Sequence, residues 1–185
     1  MTVFDLWLPI LLAGIATHVA STLAWMVLPH HKPEWKKLPA EDDLLDFLDT
    51  HQAPAGQYMF PFCEDSKQMS SPEFKEKLAG RCKGTLILWA TPLNMGQAIG
   101  LTLGYFLLTA FLIGYIASIA FAPGETDKLD IFALVFTAGL LCHALGPFPA
   151  VFWFRQKSAM IVLDGVVFAL IAAAIFTLLW PAGAA

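Results

Sequence analysis

Four long runs of apolar residues constrain the fold of this chain more than any other feature. A helix needs about 20 mostly apolar residues to cross the hydrocarbon core of a bilayer. Charged residues make up only 14% of the chain, against roughly 25% in soluble domains. We therefore expect an all-α membrane protein, a bundle of four transmembrane helices. The four predicted helices are residues 1–28, 95–121, 131–152 and 158–180.

The third apolar run contains two prolines that predict a kink. Pro147 and Pro149 have no N–H, so the carbonyls four residues earlier, on His143 and Leu145, lose their helical partners. A carbonyl inside a membrane needs a replacement partner. The sequence therefore predicts a kink near Pro147, and a simple bend is favoured over a ligand site.

Residues 29–94 separate the first two runs and are polar enough to form a small unit of their own. Acidic residues follow Pro39 and predict the start of a helix, and Ser71–Pro72 predicts the start of a second helix. Residues 57–62 and 84–89 are typical of strands. We expect a small α+β insertion in the order helix, strand, helix, strand.

The distribution of Lys and Arg predicts the orientation. Most of these residues lie in 29–94, and Arg155 and Lys157 follow the third run, whereas the turn on the other side holds only Lys128. Basic residues remain on the cytoplasmic side of membrane proteins. We therefore expect residues 29–94 to be cytoplasmic and both termini to lie outside.

Charge and cysteine content bear on partners. The net charge of −4 argues against nucleic acid, which is bound through a basic surface. In the alternative topology the insertion lies outside, where Cys63 and Cys82 could form a disulfide. The partners that we expect are the lipid bilayer and either other membrane subunits or a second copy of the chain.

Three glycines recur every four residues in the second run, at Gly96, Gly100 and Gly104. This spacing places them on one helix face, where the lack of side chains allows another helix to approach closely. Packing inside the bundle is the favoured interpretation, and a homodimer face is the alternative.

Two histidines fall inside predicted spans. His18 and His143 each lie about ten residues, or ~15 Å, from the inner end of their span. Ionisable groups in a membrane are functional candidates because burying them is costly. The favoured interpretation is a neutral His that hydrogen-bonds a neighbouring backbone. The alternative is that the pair binds a cofactor such as haem or relays a proton. The identity of any cofactor is left open.

Asp164 lies near the inner end of the fourth run, where we expect it to be hydrated or to pair with Arg155 or Lys157. A proton site is the alternative.

His30 and His31 are followed by many acids, but no pair of ligands shows the close spacing of a zinc site. The sequence therefore predicts no metal ligands.

No catalytic motif occurs in the chain. It has no Gly-rich phosphate loop and no G-x-S-x-G, H-E-x-x-H or C-x-x-C, so we predict no catalytic residues and disfavour an enzyme.

The favoured hypothesis is an accessory or scaffold subunit of a larger membrane complex. One alternative is a small-molecule, proton or haem-binding redox protein that uses His18 and His143. Another is a membrane-embedded enzyme acting on lipid or quinone, which requires His143, Asp164 or the His30–His31 pair to converge on one cavity.

Three further segments of the chain are Tyr58–Phe62, Asn94–Gly96 and Leu178–Pro181. Together they resemble segments of uncharacterised bacterial membrane proteins with four spans. The resemblance covers most of the chain and implies a location in the bacterial inner membrane. It supplies no functional residue.

Overall fold

The computed structural model of the protein describes residues 1–124 and 126–182, which form two compact units. One unit contains Met1–Trp35 and the chain from Asn94 onward, and the other is Lys36–Leu93. In the described residues, the first unit holds four helices long and apolar enough to cross a membrane, and the second holds a two-stranded sheet. The predicted four long apolar helices and the small α+β insertion are confirmed. The four candidate membrane spans, numbered in chain order and called spans below, are Val3–Met26, Met95–Ala120, Lys128–Phe154 and Ala159–Leu178.

The first span changes its helical type along its length. A 3₁₀ turn precedes helix α1 (Trp7–Thr22), and a π-helical turn at Leu23–Val27 follows it. Leu28 is extended, with φ −77° and ψ 143°, because the residue before a proline avoids the helical region. Pro29 then begins a second 3₁₀ turn, Pro29–Glu34. The span therefore ends in a π turn, a feature that is frequent at functional sites.

The third span is interrupted in the region where Pro147 predicts a kink. Helix α5 (Lys128–Leu140) is followed by a π turn at Leu141–Leu145, and the short helix α6 (Phe148–Phe154) begins after Pro147. The hydroxyl of Tyr105 donates a hydrogen bond of 3.2 Å to the carbonyl of Cys142 in this region. Such a bond is the replacement partner that a carbonyl needs where a helix is broken in a membrane.

The second and fourth spans are the regular helices α4 (Met95–Ala120) and α7 (Ala159–Leu178). The first span packs on both, and α7 packs on α5. The core combines small and large apolar side chains. It contains Leu6, Ala13, Ala110, Ile113, Ala117, Ile131, Val135, Ala172, Ala173 and Phe176.

The glycine face of the second span does not pack inside the bundle. In the described part of the chain, a Cβ atom at Gly100 or Gly104 would have no atom within 4 Å, and one at Gly96 would meet only the Asn94 side chain. The close approach that the spacing predicts therefore does not occur at these residues. It occurs instead at positions such as Gly14, where a Cβ would lie 3.0 Å from the Cα of Leu107. The homodimer alternative stays a prediction.

The second unit follows the predicted order of elements. It consists of α2 (Glu41–Thr50), β1 (Gly56–Phe60), α3 (Pro72–Gly80) and β2 (Gly84–Leu88). The two strands are antiparallel, with Gly56 opposite Leu88 and Phe60 opposite Gly84. Cys63 and Cys82 are free thiols, so the structure contains no disulfide between them.

Replacing Ser71 with alanine should loosen helix α3. The Ser71 hydroxyl accepts a hydrogen bond of 3.1 Å from the backbone N–H of Phe74, and loss of such a cap costs about 1 kcal/mol. Amide hydrogen exchange of the full chain should therefore speed up about fivefold across α3. Ser70→Ala is the matched control, since Ser70 precedes the capping position. Equal protection of α3 in the two variants would refute the capping role.

Candidate metal centre

Four titratable side chains meet where the first span ends and the fourth begins. His30, His31 and Glu34 lie on the 3₁₀ turn after the first span, and Asp164 lies on α7. The sequence explains the local part of this arrangement. Side chains three residues apart eclipse each other in a 3₁₀ helix, so His31 and Glu34 lie on the same face of the turn.

Both histidines point the same ring nitrogen at Asp164. Nε2 of His30 lies 3.0 Å from Oδ1, and Nε2 of His31 lies 2.8 Å from Oδ2. The other ring nitrogen of His31, Nδ1, lies 2.7 Å from Oε2 of Glu34. His31 therefore has a carboxylate at each ring nitrogen, and Asp164 has an imidazole at each oxygen.

The cluster is shielded from solvent. His31 is only 4% exposed and Asp164 only 7%. The indole of Trp25, which belongs to the π turn of the first span, stacks on the His31 ring with centroids 3.7 Å apart and planes 8° apart. The His30 ring lies 4.4 Å from the His31 ring. Packing and hydrogen bonds together hold these rings in one orientation.

Burial and the two carboxylates act in opposite directions on His31. Burial lowers the pKa of His31, because it disfavours the charged imidazolium. The hydrogen bonds to Glu34 and Asp164, together with their negative charges, outweigh burial and raise the pKa above its ordinary value. The cluster is thus an environment that attracts positive charge.

Gly165 brings the fourth span against the broken part of the third. A Cβ atom at Gly165 would lie 2.6 Å from the carbonyl carbon of His143 and 2.7 Å from the Cα of Ala144. These are backbone atoms of the π turn Leu141–Leu145, so only glycine allows the observed approach. Because Asp164 is the neighbouring residue, this contact helps to set where its carboxylate lies.

The ligand atoms of the cluster fit a metal ion. One atom each from His30, His31 and Asp164 lie within 4.8 Å of one another. Two imidazoles and one carboxylate hold zinc in catalytic sites, with a fourth position left for water or substrate. The same ligand set holds non-haem iron(II). Glu34 supplies the carboxylate that commonly accepts a hydrogen bond from the second nitrogen of a metal-binding histidine.

The interpretation of Asp164 from sequence is corrected by this geometry. The sequence predicts water, Arg155 or Lys157 as the partner of Asp164, but its partners in the structure are His30 and His31. The ammonium group of Lys157 instead donates a hydrogen bond of 3.1 Å to the carbonyl of Pro33. The reason is that the chain after the first span folds back onto α7 and places imidazoles beside the carboxylate.

The structure does not bring His18 and His143 into contact. The His18 ring lies 6.3 Å from the Phe106 ring and the His143 ring lies 5.5 Å from it. In the described residues no hydrogen bond or ring contact joins the two histidines directly. A space beside His143 and Phe106 is too narrow to admit a water molecule. The arrangement therefore offers no support for an axial pair of haem ligands.

Sequence reasoning did not identify the centre, although it noted some of its members. The sequence predicts Trp25 only as a residue of the inner membrane interface and does not single out Glu34. The His30–His31 pair lacks the close, regular ligand spacing of a zinc motif. The third ligand, Asp164, is separated from His31 by 133 positions. The available signal was two histidines and an acid three residues later, directly after an apolar run.

Comparisons of the chain with known protein families, with curated proteins and with solved structures give no match. The resemblance to bacterial four-span proteins therefore stays a prediction. The cluster formed by His30, His31, Glu34 and Asp164 is the feature of the structure that points to a function.

Proposed function

We propose that this chain is a multi-pass membrane protein that binds one divalent transition-metal ion through His30, His31 and Asp164. The observation that carries the proposal is the convergence of two Nε2 atoms on the two oxygens of one buried carboxylate. The hydrogen bond between His31 and Glu34 supports it further, because that contact orients the imidazole for a metal.

A metal explains this cluster better than an ion pair alone. Burying charged groups is costly, and a buried pair often contributes little net stability. Here two carboxylates and two imidazoles share one small volume, and a divalent cation would be held by all three ligand groups at once. Imidazole and carboxylate ligands favour zinc or iron(II), whereas calcium and magnesium prefer oxygen ligands only.

Three protein ligands leave a coordination position for a further molecule, as in catalytic metal sites. When bound there, a metal would activate water or polarise a substrate oxygen. Asp164 and the His30–His31 pair lie together, which supports the hypothesis of a membrane-embedded enzyme, whereas the His143 ring packs against Phe106. The geometry therefore supports a metal-dependent membrane enzyme better than the redox hypothesis based on His18 and His143.

The test is metal analysis of the full chain purified in mild detergent. We expect one equivalent of zinc or iron per chain, and cobalt(II) substitution should give a visible spectrum typical of nitrogen and oxygen ligands. His30→Ala should lose the metal, whereas the matched variant His18→Ala should retain it. A wild-type protein that binds none of these metals, or equal metal content in the two variants, would overturn the proposal.

Replacing Glu34 with glutamine should weaken metal binding without removing a ligand. Glutamine keeps the length of the side chain and a hydrogen-bond acceptor, but the negative charge next to His31 is lost. Changes in such outer carboxylates typically reduce metal affinity 10–100-fold. Competition with a coloured chelator measures the affinity, and the exposed Glu76→Gln is the control. Equal affinity in both variants would show that Glu34 does not support the centre.

The accessory-subunit hypothesis stays a second candidate, supported by the open face at Gly100 and Gly104. A partner or a second copy could pack there, and the mass of the protein–detergent complex would reveal it.

The distribution of Lys and Arg supports both termini outside and residues 29–94 in the cytoplasm. In that orientation, the proposed metal centre lies on the cytoplasmic side of a bacterial inner membrane.

A further inference from the structure

Two open grooves lie beside the proposed metal centre and share the indoles of Trp25 and Trp35. One has a volume of about 340 Å³ and is also lined by Glu34, Gln156 and Lys157. The other has a volume of about 390 Å³ and is also lined by residues 26–28, His31 and Lys32. Both volumes fall in the range of small-molecule sites, roughly 300–1,000 Å³.

We propose that these grooves bind the phosphate head group of an anionic membrane phospholipid. A role of the lipid at the metal rests on the proposed function. Binding of the lipid does not, because side chains other than the metal ligands form most of the two grooves. The ligand class proposed for the metal centre is a lipid with an accessible phosphate.

A lysine lines each groove. Lys157 lines one groove and Lys32 lines the other. One N–H of the Lys157 ammonium donates to the carbonyl of Pro33, at 3.1 Å, and this bond restrains the ammonium group. An ammonium has three donors, so two remain for a phosphate. The carboxylate on the groove wall, Glu34, is engaged by His31.

The apolar part of the grooves suits a lipid at the membrane surface. Trp25 lies in the last turn of the first span, and Ile161 lies in the first turn of the fourth. The grooves are therefore level with the ends of two spans, where lipid head groups lie. Trp35 is 75% exposed, and tryptophan is enriched at this interface because its ring is amphipathic.

The grooves and the metal centre share side chains. Trp25 stacks on His31, and Glu34 bonds to His31, while both also line a groove. A head group seated beside Lys157 would therefore be separated from the centre by only one layer of side chains. This proximity links the proposed lipid to the proposed metal.

The experiment measures lipid binding to the metal-loaded full chain in a non-ionic detergent by native mass spectrometry. We expect dioctanoyl phosphatidic acid to bind at least about tenfold more tightly than dioctanoyl phosphatidylcholine, since charge-assisted hydrogen bonds are the stronger ones. Lys157→Gln should weaken binding of phosphatidic acid about tenfold, and Lys157→Arg should restore it. Lys128→Gln, at the first residue of the third span, should bind like the wild type.

Metal content is measured on the same samples, so the two proposals can fail separately. Normal metal content with equal binding of both lipids, or with no effect of Lys157→Gln, would overturn the lipid inference alone. Binding of phosphatidic acid that depends on Lys157 in a protein that takes up no metal would overturn the proposed function alone. Competition by inorganic phosphate at the same concentration as the lipid would show a free-anion site and overturn the lipid assignment.

Discussion

Replacing Asp164 with asparagine should release the metal and lower the thermal stability of the protein. Asp164 faces both histidines with its two oxygens, whereas asparagine has one acceptor oxygen and no charge. A four-ligand zinc site binds with about 10–16 kcal/mol, so one ligand is worth on the order of 3 kcal/mol, or about 100-fold in affinity. We expect a loss of affinity of that size or more.

The Asp164→Asn variant should also unfold more easily in its metal-free form. His31 is buried against Asp164, and a buried polar group left with a poorer hydrogen-bond partner costs about 1–3 kcal/mol. Cobalt(II) titration and thermal unfolding in detergent measure the two effects. Asp46→Asn, an exposed position on α2, is the matched control. A variant that holds one equivalent of metal at wild-type affinity would show that Asp164 is not a ligand.

A single methyl group at Gly165 should disturb both the bundle and the metal centre. In Gly165→Ala the new Cβ would lie 2.6 Å from the carbonyl carbon of His143, and a backbone atom cannot rotate away as a side chain can. The fourth span must therefore move. Overpacking of this kind costs about 1–3 kcal/mol, and we expect weaker metal binding as well because Asp164 moves with the helix.

Gly100→Ala is the matched control for this experiment. A Cβ at Gly100 would have no described atom within 4 Å, and alanine is a better helix former than glycine by up to about 1 kcal/mol. The control should unfold at the wild-type temperature or slightly above it, and Gly165→Ala should unfold well below it. Equal unfolding temperatures and equal cobalt affinity in the two variants would refute the role of Gly165.

Much of the secondary structure could be predicted from the sequence, because its causes are local. Length and hydropathy predict the four long apolar helices. In the insertion, Ser71 and Pro72 predict the start of α3, where the Ser71 cap is observed. Pro29 accounts for the extended residue before it and for the end of the first span. Each of these signals involves residues that are close neighbours in the chain.

The contacts between spans could not be predicted in this way. Periodic spacing suggested Gly96, Gly100 and Gly104 as packing residues, but spacing shows only that residues share a face and not which face meets another helix. Among the glycines that the structure describes, Gly165, which has no glycine partner at that spacing, makes the closest approach to the third span. Which face is covered depends on the rotation and crossing of whole helices.

The sequence by itself determined the four apolar helices, the order of elements in the insertion and the breaks at proline, because local sterics and hydropathy decide these features. Only the tertiary structure decided that Asp164 meets His30 and His31 instead of Arg155 or Lys157. That contact joins residues more than 130 positions apart, and it depends on the close approach at Gly165 and the fold-back after Leu28. No local sequence pattern predicts a contact between residues so far apart, because the packing of the spans determines which residues meet.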